Sequence, residues 1–95
     1  MILKVFGIYD SKVDAWLQPF MVKHVGDAER ALKMHVNDPE HNFCKYASDF
    51  TLFELGTWDD SNAKYSLLNT PHSIGLLIQF KNEPNRGAGG TGSPS

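Results

Sequence analysis

The sequence predicts an α+β domain: an antiparallel four-stranded sheet in the order ββαββ, one main helix packed on one face of it, a short C-terminal element and a disordered tail. Three observations carry this. Short segments in which apolar residues alternate occur on both sides of the middle of the chain. One stretch between them repeats its apolar residues every three or four positions. The turn-forming clusters fall between these segments rather than inside them.

The first strand is ILKVFGIY, residues 2 to 9, rich in β-branched and aromatic types and closed by Asp10 and Ser11. Leu3, Val5 and Tyr9 share one face and Ile2, Phe6 and Ile8 the other, so a strand apolar on both sides is expected at a central position, or covered by a helix on one side and by loops on the other. Residues 14 to 23 pair back on it as a second strand. Uninterrupted alternation puts Trp16, Phe20 and Val22 on one face and Leu17 and Met21 on the other. Pro19 has no N–H for the ladder, which places this strand at an edge or breaks it at a bulge.

From Gly26 the period becomes helical: Ala28, Ala31, Leu32, His35 and Val36 recur at spacings of three and four. Asp27 is the expected N-cap, Glu29 and Lys33 stand at i and i+4, and Asn37-Asp38-Pro39 ends the helix. Residues 39 to 49 show no period, and Phe43 and Tyr46 are the aromatics expected to tie this loop to the core. DFTLFELGTW, 49 to 58, alternates as the third strand, with Phe50, Leu52 and Glu54 on one face and Thr51, Phe53 and Leu55 on the other. Asp-Asp-Ser-Asn-Ala at 59 to 63 is turn chemistry, and KYSLLN, 64 to 69, returns as the fourth strand. Thr70 and Pro71 suit the start of a short helix over 71 to 80 that buries Ile74, Leu77 and Ile78. Gly75 weakens that helix and leaves a fifth strand as the competing reading.

A chain of 95 residues, 41% of them hydrophobic, suits one compact domain, expected over residues 1 to 81. The Gly/Pro/Ser-rich segment 82 to 95 lacks the apolar residues to offset the entropy of ordering. A net charge of −2 gives no overall attraction to polyanions, so any nucleic-acid affinity must come from a local patch or from stacking. The single cysteine, Cys44, excludes an intramolecular disulfide and fits a reducing compartment. No secretory signal is expected at the start, and no apolar run approaches the roughly 20 residues of a membrane helix.

Catalytic and metal chemistry find little support. His41 and Cys44 form an H-x-x-C pair, but a structural zinc needs four ligands, and His24, His35 and His72 are scattered over other elements. His35, on the apolar side of the helix, reads as a core or boundary histidine. Asp59, Asp60 and Asn62 lack the closing carboxylate of a calcium loop, where Thr70 stands instead. Cys44 has no orienting third group, and GAGGTG in the tail follows no strand and holds no Lys-Ser/Thr pair. The expectation is no enzyme, no metal and no cofactor.

What remains is aromatic residues beside basic ones, a pattern that suits single-stranded nucleic acid: each stacked base contributes roughly 1 to 3 kcal/mol and the cations meet the backbone. On this basis Lys12, Trp16, Phe20, Lys23, Lys45 and Tyr46 are the candidate binding residues. The competing reading is that these aromatics belong to the core.

Three stretches carry a resemblance. KVFGIYDSKVDAWLQPF, ALKMHVNDPEHNFCKYASDFTLFELG and TWDDSNAKYSL, in that order, resemble the small non-structural protein of gokushoviruses, single-stranded DNA phages of the Microviridae. The similarity implies a DNA-binding or replication-associated phage protein that acts in the host cytoplasm and helps switch genome synthesis toward single-stranded DNA for packaging. The expected function is therefore a non-enzymatic accessory protein that binds single-stranded DNA weakly. The alternative is an adaptor that contacts the replication initiator, a host replication factor or the capsid precursor. A homodimer is also expected to be accessible, by sheet extension at the edge strand broken by Pro19.

Overall fold

The computed structural model describes residues 1–81, so the expected disorder of 82 to 95 lies outside the described residues. The chain folds as an antiparallel five-stranded sheet with one long helix. The strands are β1 (Ile2–Asp10), β2 (Ala15–Trp16), β3 (Phe20–Val22), β4 (Phe50–Asp59) and β5 (Lys64–Leu76). The long helix α1 (Val25–Val36) follows β3, and a single turn, α2 (Asn42–Lys45), precedes β4.

β1 is central, the first of the two arrangements its apolar faces allow. It pairs with β4 on one side and with both β2 and β3 on the other, and β5 closes the far side of β4. The expected four strands become five because the second is split. Leu17-Gln18-Pro19 leaves the strand conformation between β2 and β3, so Tyr9 pairs with Trp16, and the ladder resumes with Phe6 against Phe20 and Lys4 against Val22.

The split overturns the expectation that Trp16 and Phe20 share a face. Phe20 stacks on Phe6 at 5.8 Å between ring centroids, and Phe6 belongs to the core beneath α1. Trp16 lies 5.3 Å from Tyr9 and 5.0 Å from Phe53, on the other side of the sheet. Met21 pairs with Val5 and so shares that outer side, as Trp16 does.

The core consists of Phe6 and Ile8 from β1, Ala28, Leu32 and Val36 from α1, Phe50 and Leu52 from β4, and Ala47 and Leu77 from flanking turns. Ala28, Leu32 and Val36 are spaced i, i+4, i+8, so one stripe of α1 closes one face of the sheet. Phe20, Val22, Phe43, Ile74 and Phe80 pack around its margin.

Several local expectations change. α1 begins at Val25 rather than after Asp27; its N-cap is His24, which makes no side-chain capping bond. Asp27 is inside the first turn because its N–H bonds to the His24 carbonyl (3.0 Å) and its carboxylate pairs with Arg30. The ion pair on this helix is thus Asp27–Arg30, not Glu29–Lys33. The helix ends at Val36 with Asn37 as C-cap, as Pro39 requires.

The 39 to 49 segment holds α2 and a 3₁₀ turn, Ala47–Asp49. Phe43 anchors it, edge-on to Phe50 at 5.0 Å, whereas the expected second anchor, Tyr46, is 55% exposed. Residues 71 to 76 continue β5 rather than forming a helix, and a 3₁₀ turn follows over Leu77–Phe80. Leu77 is fully buried, Ile74 is half-buried and Ile78 is exposed. Ile74 reaches the core margin because the β4–β5 register slips by one residue there. Asn37 Nδ2 donates to the carbonyls of Lys33 (2.8 Å) and Phe80 (3.3 Å), and Lys81 Nζ donates to the Cys44 carbonyl (3.0 Å), which fastens the end of the described chain across α1 and α2.

Candidate nucleic-acid interface

The sheet has a second face, and among the described residues no helix covers it. Register places Leu3, Val5, Gly7 and Tyr9 of β1 on it with Trp16 of β2, Met21 of β3, Phe53 and Trp58 of β4, and Tyr65 and Leu67 of β5. Val5 is buried there by its neighbours, but Trp16, Tyr65 and Leu67 are 46%, 56% and 65% exposed.

The best-formed part of this face is the cluster Tyr9–Trp16–Phe53, with ring centroids 5.3 Å and 5.0 Å from the indole and tilts near 60°. Gly7 makes the cluster possible. A Cβ at this position would stand 3.2 Å from the Trp16 ring and 2.9 Å from Leu55 Cδ1, so the indole rests on bare backbone. At the far end Trp58 and Tyr65 form a looser pair at 6.3 Å.

The turn between β1 and β2 fixes the rim. Ser11 N–H and Oγ both reach the Asp49 carbonyl (2.9 and 3.0 Å), and the Lys12 N–H donates to Asp10 Oδ1 (3.0 Å). Asp14 adopts φ 57°, and its carboxylate accepts a hydrogen bond from the Tyr9 hydroxyl. That bond to a carboxylate is the main reason the Tyr9 phenol is held above its usual pKa.

The six residues expected from sequence do not form one site. Lys12 and Tyr46 meet across a cavity of about 360 Å³ that Asp10, Asp49 and Phe50 also line. Two carboxylates there disfavour a phosphate. Trp16 belongs to the open face, Phe20 to the helix side, and Lys23 and Lys45 are exposed on β3's exit and on α2. Sequence reasoning did not place Tyr9, Phe53, Trp58 and Tyr65 together on one face, although Tyr9 and Tyr65 stand beside Lys12 and Lys64 in the aromatic-basic pattern. The signal was available in the strand at 49 to 58: Phe50 and Leu52 alternate with Phe53, and a single helix can seal only one of those faces.

The other clusters have local work. His41 Nδ1 accepts the Phe43 N–H (3.0 Å) and so caps α2, while its ring stacks on His35 at 4.5 Å; His35 stands exposed at the boundary of the core. Asp59 accepts from Ser61 N–H (3.0 Å) and Oγ (2.7 Å), which holds its carboxyl below the usual range, and Asn62 accepts from the Lys64 N–H (3.1 Å). Asp60 pairs with the Met1 ammonium at 2.7 Å. Among the described residues no group of three or more His, Cys, Asp or Glu is placed to hold a metal ion, and no helix is long and apolar enough to cross a membrane.

Fold and face together define a small α+β domain with one sheet face sealed by a helix and the other left as an aromatic surface. No curated protein and no solved structure matches the chain. The chain belongs to the phage ORF5 protein family, whose model matches residues 3–80, nearly the whole described region.

Proposed function

We propose that this phage protein is a non-enzymatic accessory factor that binds single-stranded DNA weakly on its open sheet face. Tyr9, Trp16 and Phe53 form the stacking platform, and stacking on it carries most of the affinity. The observation that carries the reading is a tightly clustered, partly exposed aromatic trio on a sheet face that no other element covers among the described residues. Aromatics on an open sheet suit sequence-tolerant binding because every base offers a π-face. The resemblance to the gokushovirus non-structural protein supplies the context: genome replication, or the switch to single-stranded synthesis and packaging, in the host cytoplasm.

Titration of a labelled oligonucleotide at two salt concentrations tests it. Affinity falls with salt, and Trp16→Ala lowers it by roughly 1 to 3 kcal/mol without loss of folding. Binding unchanged by Trp16→Ala, or absent at micromolar protein, rejects the platform.

One observation favours a second reading, an adaptor for the replication initiator, a host replication factor or the capsid precursor. None of the positions that register places on the open face is Lys or Arg. A face without cations suits an apolar protein surface as well as bases. Direct binding of a purified phage partner, lost on Trp16→Ala in the absence of DNA, distinguishes it.

A further inference from the structure

The two edges of the sheet are unlike. One edge consists of β2 and β3, two and three residues long and separated by Pro19, and is too short and broken to template another strand. The other edge is β5, 13 residues long, which among the described residues is hydrogen-bonded on one side only, to β4. The devices that normally blunt an edge are nearly missing from its first segment. Pro71 and the long bulge opposite Leu55 interrupt only the middle of β5, and leave Lys64 to Leu67 in regular register with β4. Within Lys64-Tyr65-Ser66-Leu67-Leu68 the single charge is Lys64, and Tyr65, Leu67 and Leu68 are 56%, 65% and 45% exposed.

We infer that β5 is a subunit-pairing edge, and that two copies of this chain join by antiparallel β5–β5 pairing about a two-fold axis near Ser66. A second copy is the occupant that the chemistry favours, because an antiparallel ladder is its own complement and this segment opposes no like charges to itself. Centred on Ser66, the ladder sets Tyr65 opposite the second copy's Leu67 on the open face and Lys64 opposite its Leu68. The two Lys64 side chains then start roughly 13 Å apart at about 3.3 Å per residue, beyond the Debye length of roughly 8 to 10 Å.

The two-fold axis stands perpendicular to the sheet, so both helices lie on one side and both open faces on the other. The dimer carries a single aromatic surface twice as wide, running from one Trp16 through Trp58 and Tyr65 of each copy to the other Trp16. The pairing does not depend on the DNA reading, but it supplies that reading with a longer track. It also moves the expected dimer contact from the Pro19 edge to the opposite one.

The test is sedimentation of the full chain from about 1 µM to about 200 µM, the range in which small interfaces associate. Wild-type mass is expected to rise toward twice the monomer. Ser66→Lys, which sets two ammonium groups opposite each other at the axis, is expected to weaken association by about tenfold or more, and Ser66→Glu likewise. An equimolar mixture of the two variants is expected to recover the dimer, because only the heterodimer pairs opposite charges. Ser66 is exposed, and circular dichroism confirms that each variant is folded. A wild type that stays monomeric throughout, variants that dimerise like wild type, or a mixture that fails to recover would each overturn the inference. Oligonucleotide titration of Ser66→Lys separates the two proposals: single-site DNA binding that survives in the monomer leaves the stacking platform standing on its own.

Discussion

The two faces of this sheet are built from the same strands with the same alternation, yet they end in opposite conditions. On one, Phe6, Ile8 and Leu52 disappear under the Ala28–Leu32–Val36 stripe of α1. On the other, Tyr9, Trp16 and Phe53 pack on one another and over the glycine at Gly7, and Trp16 stays 46% exposed. The difference teaches that apolar content does not distinguish structural from functional surface in a small domain. What distinguishes them is whether a second layer is present to cover each face, and among the described residues there is one long helix.

The sharpest way to break this comparison is to truncate one residue on each side. Leu52→Ala, at a fully buried site, is expected to lower unfolding free energy by about 2 to 5 kcal/mol. Trp16→Ala, despite removing a larger side chain, is expected to cost about 1 kcal/mol, the scale of its ring contacts. Urea unfolding of both variants checks this, and equal losses would mean that the open face is as structural as the sealed one.

Gly56→Ala addresses the ladder that both faces share. Gly56 has φ 154°, and a Cβ there would stand 2.3 Å from the Ser66 carbonyl oxygen. A loss of about 1 to 3 kcal/mol is expected, with fading amide protection along β4–β5 in hydrogen exchange. Ala63→Gly works the other way. Ala63 holds φ 59° at the turn into β5, a left-handed conformation that costs a residue with a Cβ roughly 1 to 2 kcal/mol. Glycine's greater unfolded-state entropy offsets part of the gain, so thermal unfolding should show a net stabilisation of about 0.5 kcal/mol.

The smallest effect is at the rim of the open face. The Tyr9 phenol is raised because its neutral form donates to Asp14. Any stability this contributes is fully present below the unfolded tyrosine pKa and is lost as pH rises through the folded one. A residue-resolved NMR titration should find Tyr9 titrating later than a free tyrosine, and Asp14→Gly, which tolerates the positive φ at that position, should bring it back.

The sheet, its central β1 and the main helix were legible because period is a local property: apolar alternation in 2 to 9 and 50 to 55, and three-to-four spacing in 28 to 36, can be read without knowing the neighbours. The expected break at Pro19 was also legible, since a missing N–H is a property of one residue. Its consequence was not. Whether the Leu17-Gln18-Pro19 link, bonded to β1 through the Leu17 N–H and the Ile8 carbonyl (2.8 Å), preserves or inverts the phase between Trp16 and Phe20 depends on how much chain the detour uses, and composition does not encode that. For the same reason Lys23 and Lys45 looked like neighbours of aromatics in sequence and are scattered in space, whereas Tyr9 and Phe53, 44 positions apart by number, meet at one indole. The residues 71 to 76 were ambiguous because Pro71 is acceptable both at a helix start and on an edge strand, and only the available side of β4 decided between them.

The Leu17-Gln18-Pro19 detour also sets how readily this surface can be rewritten. Within β3, Phe20 and Val22 point toward α1 and Met21 points outward only because the detour has its present length. Adding or deleting one residue there would invert the phase of β3 while leaving β1, β4 and β5 untouched, and would exchange an outward methionine for an outward phenylalanine and valine. Surface loops tolerate insertions and deletions better than the elements they join, so this chain carries a point at which drift can recompose its open face in a single step.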